Sequence, residues 1–182
     1  MTSAIPATNP YFDLMRAHLT EAALELFAAC DMQIAPIASM PEGGILSQEL
    51  SCMASIGYVG EGVRGLLVLA AAHTTARRWT EAAGLSDCDL SDAVGEFSNM
   101  LLGHLKAHLL RVGVPISLAT PVTVSGSGLR FSMPPGHSCW QFFDGPGWRV
   151  GVRLDASFES SFRIQEVDET QNPACPGEAI LF

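Results

Sequence analysis

The feature that most constrains the fold is a long amphipathic segment at residues 90–112. On a helical wheel at about 100° per residue, its large apolar side chains fall within one arc, which predicts the face that packs on the core. Asp89 can cap the start of this helix, Asp92 suits its positive end, and Gly113 can end it. The apolar arc consists of Val94, Phe97, Leu101, Leu105, Leu109 and Val112.

The opposite arc of the same helix is polar. It contains Asp92, Glu96, Asn99, Gly103, Lys106 and Arg111. Glu96 and Asn99 are three residues apart, which predicts Cβ atoms roughly 5–6 Å from each other. Gly103 continues the stripe, although a helical glycine costs roughly 0.5–1 kcal/mol relative to Ala, and it would leave a flat spot that another backbone could approach. From periodicity alone, Glu96 and Asn99 are better explained as solvated side chains than as a site, because an outward Glu and Asn on an amphipathic helix usually only face solvent.

The rest of the chain predicts helices interspersed with antiparallel hairpins. Asn9 and Pro10 predict the start of a helix that reaches Cys30 and buries Leu14, Leu19, Ala22, Leu26 and Phe27. A strand is expected at 116–126, a short helix at 73–84, and hairpins at 46–59 with 63–71 and at 138–144 with 148–158. This order predicts an α+β sandwich, a curved sheet with helices on one face. We expect a single domain at residues 1–165 and a polar C-terminal tail at 166–182.

Charge and composition exclude several classes of function. The net charge of −9 gives no electrostatic reason to bind nucleic acid or an anionic membrane surface. No apolar run approaches the roughly 20 residues of a membrane span, and the first residues lack the pattern of a signal peptide. The five cysteines are odd in number and form no CxxC pair, which predicts buried, reduced thiols and a cytoplasmic location.

Two other patterns could form sites. His104 and His108 are four residues apart and could place two imidazoles on one metal ion. The sequence suggests no third ligand, so we predict partly buried histidines and no metal site. The glycine-rich stretch at 57–65 is not a G-x-G-x-x-G motif and bridges two predicted strands, so a hairpin turn is expected there.

The segment DAVGEFSNMLLGHLKAHL resembles the central helix of the CheX family, relatives of the CheC phosphatases of bacterial chemotaxis. The family pattern is a Ser or Asp, a Glu four residues later, an Asn three further on, and a Pro after a longer spacer. Asp92, Glu96, Asn99 and Pro121 match it. Residues 54–71 and 116–126 resemble the family's first hairpin and the strand after the helix. The first helix has no Glu-x-x-Asn pair, which indicates the one-site CheX branch.

The resemblance implies a CheX-like α+β fold and hydrolysis of the aspartyl phosphate of a CheY-like response regulator. Asn99 would orient the attacking water and Glu96 would pair with the regulator's active-site lysine, while Asp92, Gly103 and Lys106 would contact the partner. Mg²⁺ would be held by the regulator, so no cofactor is expected in this chain. The resemblance also implies a homodimer that continues the sheet between subunits. The alternative is a non-catalytic module of the same fold that binds a regulator or dimerises.

Overall fold

The computed structural model describes residues 9–37, 50–87, 89–127, 129 and 137–164. The predicted tail and residues 46–49 of the first predicted strand lie outside this part of the chain. The elements, in chain order, are α1 (Pro10–Ala29), β1 (Ala35–Pro36), β2 (Cys52–Gly60), β3 (Val63–Ala71), α2 (His73–Ala82), α3 (Leu90–Arg111), β4 (Ile116–Leu118), β5 (Val122–Ser125), β6 (His137–Gly145) and β7 (Trp148–Phe158).

The strands within the described residues form one antiparallel sheet. Their order is β1-β6-β7-β3-β2-β4, and β5 also pairs with β2. The two predicted hairpins, β2–β3 and β6–β7, are confirmed, and β3 joins them by pairing with β7 from Val63↔Phe158 to Ala71↔Val150. This is the α+β architecture that the sequence predicts.

The helices cover one face of the sheet and complete the core. Alternate residues of β2, β3 and β7 are buried in one cluster with α1 and α3. Trp79 of α2 packs edge-on against Phe97 of α3 at 4.8 Å between ring centroids, and Phe97 in turn contacts Phe27 of α1 at 5.2 Å. These three aromatic rings connect α1, α2 and α3.

Helix α1 begins at the predicted residue, but the residues of its first turns that face the core differ from the prediction. The side chain of Asn9 accepts a hydrogen bond from the Tyr11 backbone N–H at 2.9 Å, and Pro10 is the first helical residue. Leu14, predicted to be buried, is only half-buried, because Phe12 and Met15 take the inward positions of the first turns. The other four predicted core residues of α1 are fully buried.

The prediction of one continuous strand at 116–126 is wrong. The segment forms β4 and β5, and both pair with β2, from Tyr58↔Leu118 and from Ser55↔Val122. Three residues of the segment lie opposite two of β2, which is a β-bulge. Pro121 lies in this break, and it has no backbone N–H to donate to the ladder.

Two smaller features complete the fold. Helix α3 ends at Arg111, and Gly113 after it has a positive φ of 73°, as its role as a helix stop predicts. Val112, predicted to be part of the core arc, caps the helix and is half-buried.

No helix of the described part of the chain combines the length and the apolar character needed to cross a membrane.

Candidate functional site on helix α3

The polar stripe of α3 lies at the surface. Glu96, Asp92 and Lys106 are exposed, while Asn99 and Gly103 are half-buried. The side chains of Glu96 and Asn99 make no hydrogen bond or ion pair with another described residue. The inward side of α3 buries the predicted apolar arc, apart from Val112. The fold therefore presents Glu96 and Asn99 side by side, with their polar atoms available to a partner.

A glycine sets how closely the start of α3 approaches the sheet. A Cβ atom on Gly95 would lie 3.1 Å from Cγ2 of Thr123 and 3.7 Å from Cγ of Pro121. Pro121, the last residue of the family pattern, thus packs beside the residue that precedes Glu96. The bulge between β4 and β5 supports the helix directly under the candidate site.

The N-terminus of α3 is also fixed by hydrogen bonds. The carboxylate of Asp89 accepts a hydrogen bond from the backbone N–H of Ser91 at 2.9 Å. The hydroxyl of Ser91 lies 3.1 Å from the hydroxyl of Ser125 at the end of β5. A site on a helix that is capped and tied to a strand is held more precisely than a site on a loop.

The two side chains suit different tasks. Asn99 is a neutral amide with both donor and acceptor atoms, so it can orient a water molecule without taking its proton. Glu96 is an acceptor when ionised, and no cationic side chain of the described residues pairs with it. An exposed carboxylate without a partner is available to a cationic group on another molecule.

The site is a surface, not a pocket. None of the main cavities in the described part of the chain is lined by a residue of the α3 stripe. The largest, of about 710 Å³, lies elsewhere on the sheet and is lined by residues such as Leu66 and Asp155. Small molecules usually bind in concave cavities, so this geometry favours a macromolecular partner.

Leu110 is a surface residue that the sequence analysis did not single out. It lies seven residues after Gly103 on the same stripe, and 55% of its surface is exposed. The helical wheel could have identified it as a surface residue, because position 110 falls at the same angle as Asp92. It extends the polar stripe with an apolar contact point near the end of α3.

A second polar cluster lies on the side of α3 that faces α1. His108 is buried, with Nε2 2.9 Å from Oε2 of Glu25, and Nδ1 of His104 lies 3.5 Å from the same oxygen. The hydrogen bond with His108 is the main cause that lowers the pKa of Glu25 below its usual value. The two histidines are buried and half-buried respectively, close to the sequence prediction, and both contact an acidic residue of α1.

Several solved structures share this fold. A CheC-like superfamily protein from Shewanella sp. PV-4 matches with a TM-score of 0.68 at 20% identity, over 82% of this chain and 99% of its own. The chemotaxis protein CheX from Desulfovibrio desulfuricans matches with a TM-score of 0.67 at 20% identity, over 79% and 99%. The CheX chain of a CheX–CheY–BeF3–Mg²⁺ complex from Borrelia burgdorferi matches with a TM-score of 0.61 at 14% identity, over 78% and 97%.

No curated protein is significantly similar to this chain in sequence. A family model does match it, over residues 52–143, and these include β2, β3, the whole of α3 and Pro121. The matched half of the chain thus contains the Glu96–Asn99 pair and the strands that support it. The chain belongs to the family described as chemotaxis phosphatase CheX.

Proposed function

We propose that this chain hydrolyses the aspartyl phosphate of a CheY-like response regulator. The observation that carries the proposal is the pair of exposed Glu96 and half-buried Asn99, whose side chains have no partner within the described residues, on a capped helix. Membership of the CheX family supports it. The relative from Borrelia burgdorferi was solved as a complex of CheX with CheY, BeF3 and Mg²⁺, which supports a response regulator as the partner of this chain. We expect the regulator, and not this chain, to hold Mg²⁺.

In the proposed reaction, the oxygen of a water molecule attacks phosphorus, and the bond between phosphorus and the aspartyl oxygen breaks. The products are inorganic phosphate and a free aspartate carboxylate on the regulator. Asn99 would hold the water in line through its amide, as a neutral side chain that orients without acting as a base. Positioning of this kind can supply several kcal/mol of barrier reduction.

Glu96 would serve binding more than chemistry. Its exposed carboxylate would pair with the active-site lysine of the regulator, and the surrounding stripe would complete the contact. Gly103 supports this role, because a Cβ there would have no atom of the described residues within 4 Å apart from the backbone of its own helix, which leaves room for a partner backbone. Asp92, Lys106 and Leu110 are exposed around it, so we include them in the proposed contact surface.

We also infer a homodimer. Val59, Val122 and Val124 are among the most exposed large apolar residues of the described chain. Val59 lies on β2 opposite β4, and Val122 and Val124 lie on β5, so all three are at the side of the sheet where β4 and β5 pair with β2. A second copy would cover them, and paired edge strands are protected from non-specific association. Light scattering at micromolar concentration that gave only the 19.4 kDa of one chain would contradict this.

The cytoplasmic location expected from the cysteines stays a prediction.

Phosphate release from a phosphorylated CheY-like regulator tests the enzymatic proposal. The parent should accelerate release, and Asn99→Ala should lose most of the acceleration, roughly 100-fold, because the water is no longer aligned. Binding of Asn99→Ala to the phosphorylated regulator should persist, since the rest of the stripe is unchanged. If Asn99→Ala is as fast as the parent, the proposed role is wrong. If the parent binds a regulator without accelerating release, the chain is a binding module.

A further inference from the structure

The fold brings together five side chains that are far apart in the sequence. Helix α1 contributes His18, Glu21 and Glu25, which follow one another at spacings of three and four residues. Helix α3 contributes His104 and His108, spaced by four residues. Spacings of three and four place side chains on one face of a helix, so each helix presents one stripe to the other.

Three of these residues have ligand atoms at metal-binding separations. Oε2 of Glu21 lies 3.2 Å from Nδ1 of His18 and 3.4 Å from Nδ1 of His108. The ligand atoms of all three residues lie within 4.8 Å of one another. In a tetrahedral zinc site with bonds of about 2.0–2.2 Å, ligand atoms are about 3.3–3.6 Å apart. The two distances from Oε2 of Glu21 are therefore close to the distances between ligand atoms in such a site.

The second nitrogen of His108 is held as metal-bound histidines usually are. Its Nε2 lies 2.9 Å from Oε2 of Glu25, so an Nε2–H can donate to that carboxylate while Nδ1 points towards Glu21. A metal-bound imidazole typically donates its other N–H to a carboxylate, which fixes the tautomer and the ring orientation. His108 is only 6% exposed, so its ring is also held by packing.

The contacts of His108 favour a cation between the helices. A neutral imidazole has one N–H, yet both ring nitrogens of His108 face a carboxylate oxygen. When Nε2 donates to Glu25, the lone pair of Nδ1 faces the oxygen of Glu21. Two lone pairs repel each other unless a positive charge lies between them, which can be a second ring proton or a metal ion. A metal ion bound by Glu21, His18 and His108 would remove this conflict.

We propose that His18, Glu21 and His108 form a binding site for a divalent transition-metal ion, with Zn²⁺ as the best fit. Two imidazoles and one carboxylate are a ligand set that zinc accepts, and water would complete the coordination. Glu25 would orient His108 from outside the coordination sphere. By spacing in the sequence, His104 and His108 are the candidate pair of metal ligands. In the structure, His108 is joined instead by the two ligands of α1, His18 and Glu21.

The ion would clamp α1 to α3 and would take no part in the chemistry at Asn99. His108 and Asn99 are nine residues apart, which places them on opposite sides of α3 and about 14 Å apart along its axis. An ion that binds the folded chain and not the unfolded chain raises its thermal stability. The expected effect of the metal is therefore a higher melting temperature, independent of phosphatase activity.

Zinc titration of the tag-free, chelator-treated full chain tests the site. Calorimetry with ZnCl2 in a non-coordinating buffer should show one ion bound per chain, and the melting temperature should rise with Zn²⁺. Co²⁺ in place of Zn²⁺ should give the intense visible absorption of a tetrahedral site. Glu21→Gln should abolish all three signals, and because Glu21 is largely exposed this variant should fold.

Two further variants sharpen the test. Glu25→Gln should keep one ion per chain but bind it about 10–100-fold more weakly, as loss of a residue that orients a ligand does. His73→Asn, at an exposed histidine outside the cluster, is the matched control and should bind zinc like the parent. The proposal is overturned if the parent binds no stoichiometric Zn²⁺, or if Glu21→Gln binds it as tightly as the parent. Neither outcome depends on phosphate release, so failure here is distinct from failure of the phosphatase proposal.

Discussion

A Cβ atom on Gly95 would lie 3.1 Å from Cγ2 of Thr123, so the absence of a side chain at position 95 allows α3 to lie close against β5. The contact links the residue before Glu96 to the broken strand that contains Pro121. It explains in physical terms why a glycine occupies a helical position where Ala would have the higher helix propensity. The candidate site depends on this approach, because it sets the position of the first turns of α3 on the sheet.

Gly95→Val should destabilise the fold. The difference in helix propensity between Val and Gly is small compared with the cost of overpacking. The change in the free energy of unfolding therefore mainly measures the contact with Thr123. We expect a loss of about 1–3 kcal/mol in the free energy of unfolding, measured by urea denaturation. Gly103→Ala is the matched control. It should gain roughly 0.5–1 kcal/mol, because position 103 has open space around it. Equal effects of the two substitutions would contradict this account of Gly95.

Gly103→Leu should keep the fold and weaken the complex with the regulator. Apart from the backbone of its own helix, no atom in the described part of the chain lies within 4 Å of a Cβ at this position, so there is space for the side chain. The leucine side chain would clash with a partner backbone that approaches α3 closely. We expect a rise in the dissociation constant for the phosphorylated regulator, larger for Leu than for Ala, measured by calorimetry. Unchanged affinity in Gly103→Leu would place the partner elsewhere.

Glu96→Gln should weaken binding of the regulator more than it lowers the maximal rate of phosphate release. The substitution keeps the shape of the side chain and removes the charge proposed to pair with a lysine. An interfacial charge pair that loses one member costs roughly 2–5 kcal/mol, so the regulator concentration for half-maximal rate should rise at least about tenfold. Glu81→Gln, an exposed acidic residue on α2, is the control. A reduced maximal rate with unchanged half-saturation would assign Glu96 to the chemical step instead.

Cys52 should resist thiol reagents in the folded protein. It is fully buried, and burial raises the pKa of its thiol above the usual value, so the reactive thiolate is scarce at neutral pH. Burial likewise raises the pKa of the half-buried Cys30 and Cys139. Ellman's reagent followed by peptide mapping should label Cys52 only after unfolding. Rapid labelling of Cys52 at pH 7 without denaturant would show that the thiol is accessible.

Much of this protein was determined by local sequence. The bounds of α1 and α3, the two hairpins and the outward position of Glu96 follow from caps, glycine stops and the periods of apolar residues. These signals act over a few neighbouring residues, which is why a single sequence contains them. The match of Asp92, Glu96, Asn99 and Pro121 to a family pattern is also readable without a structure.

The tertiary structure alone decided the features that depend on distant partners. The segment 116–126 breaks into β4 and β5 because both pieces pair with β2, and the contact of Pro121 and Thr123 with Gly95 follows from that break. His108 meets Glu25, 83 residues earlier in the chain, only because α1 and α3 pack against each other. Periodicity shows which face of a helix is buried, but not which side chains of another helix lie opposite it. That choice is made by packing across the core, and for this reason the histidine pair of α3 has its acidic partners only in the folded chain.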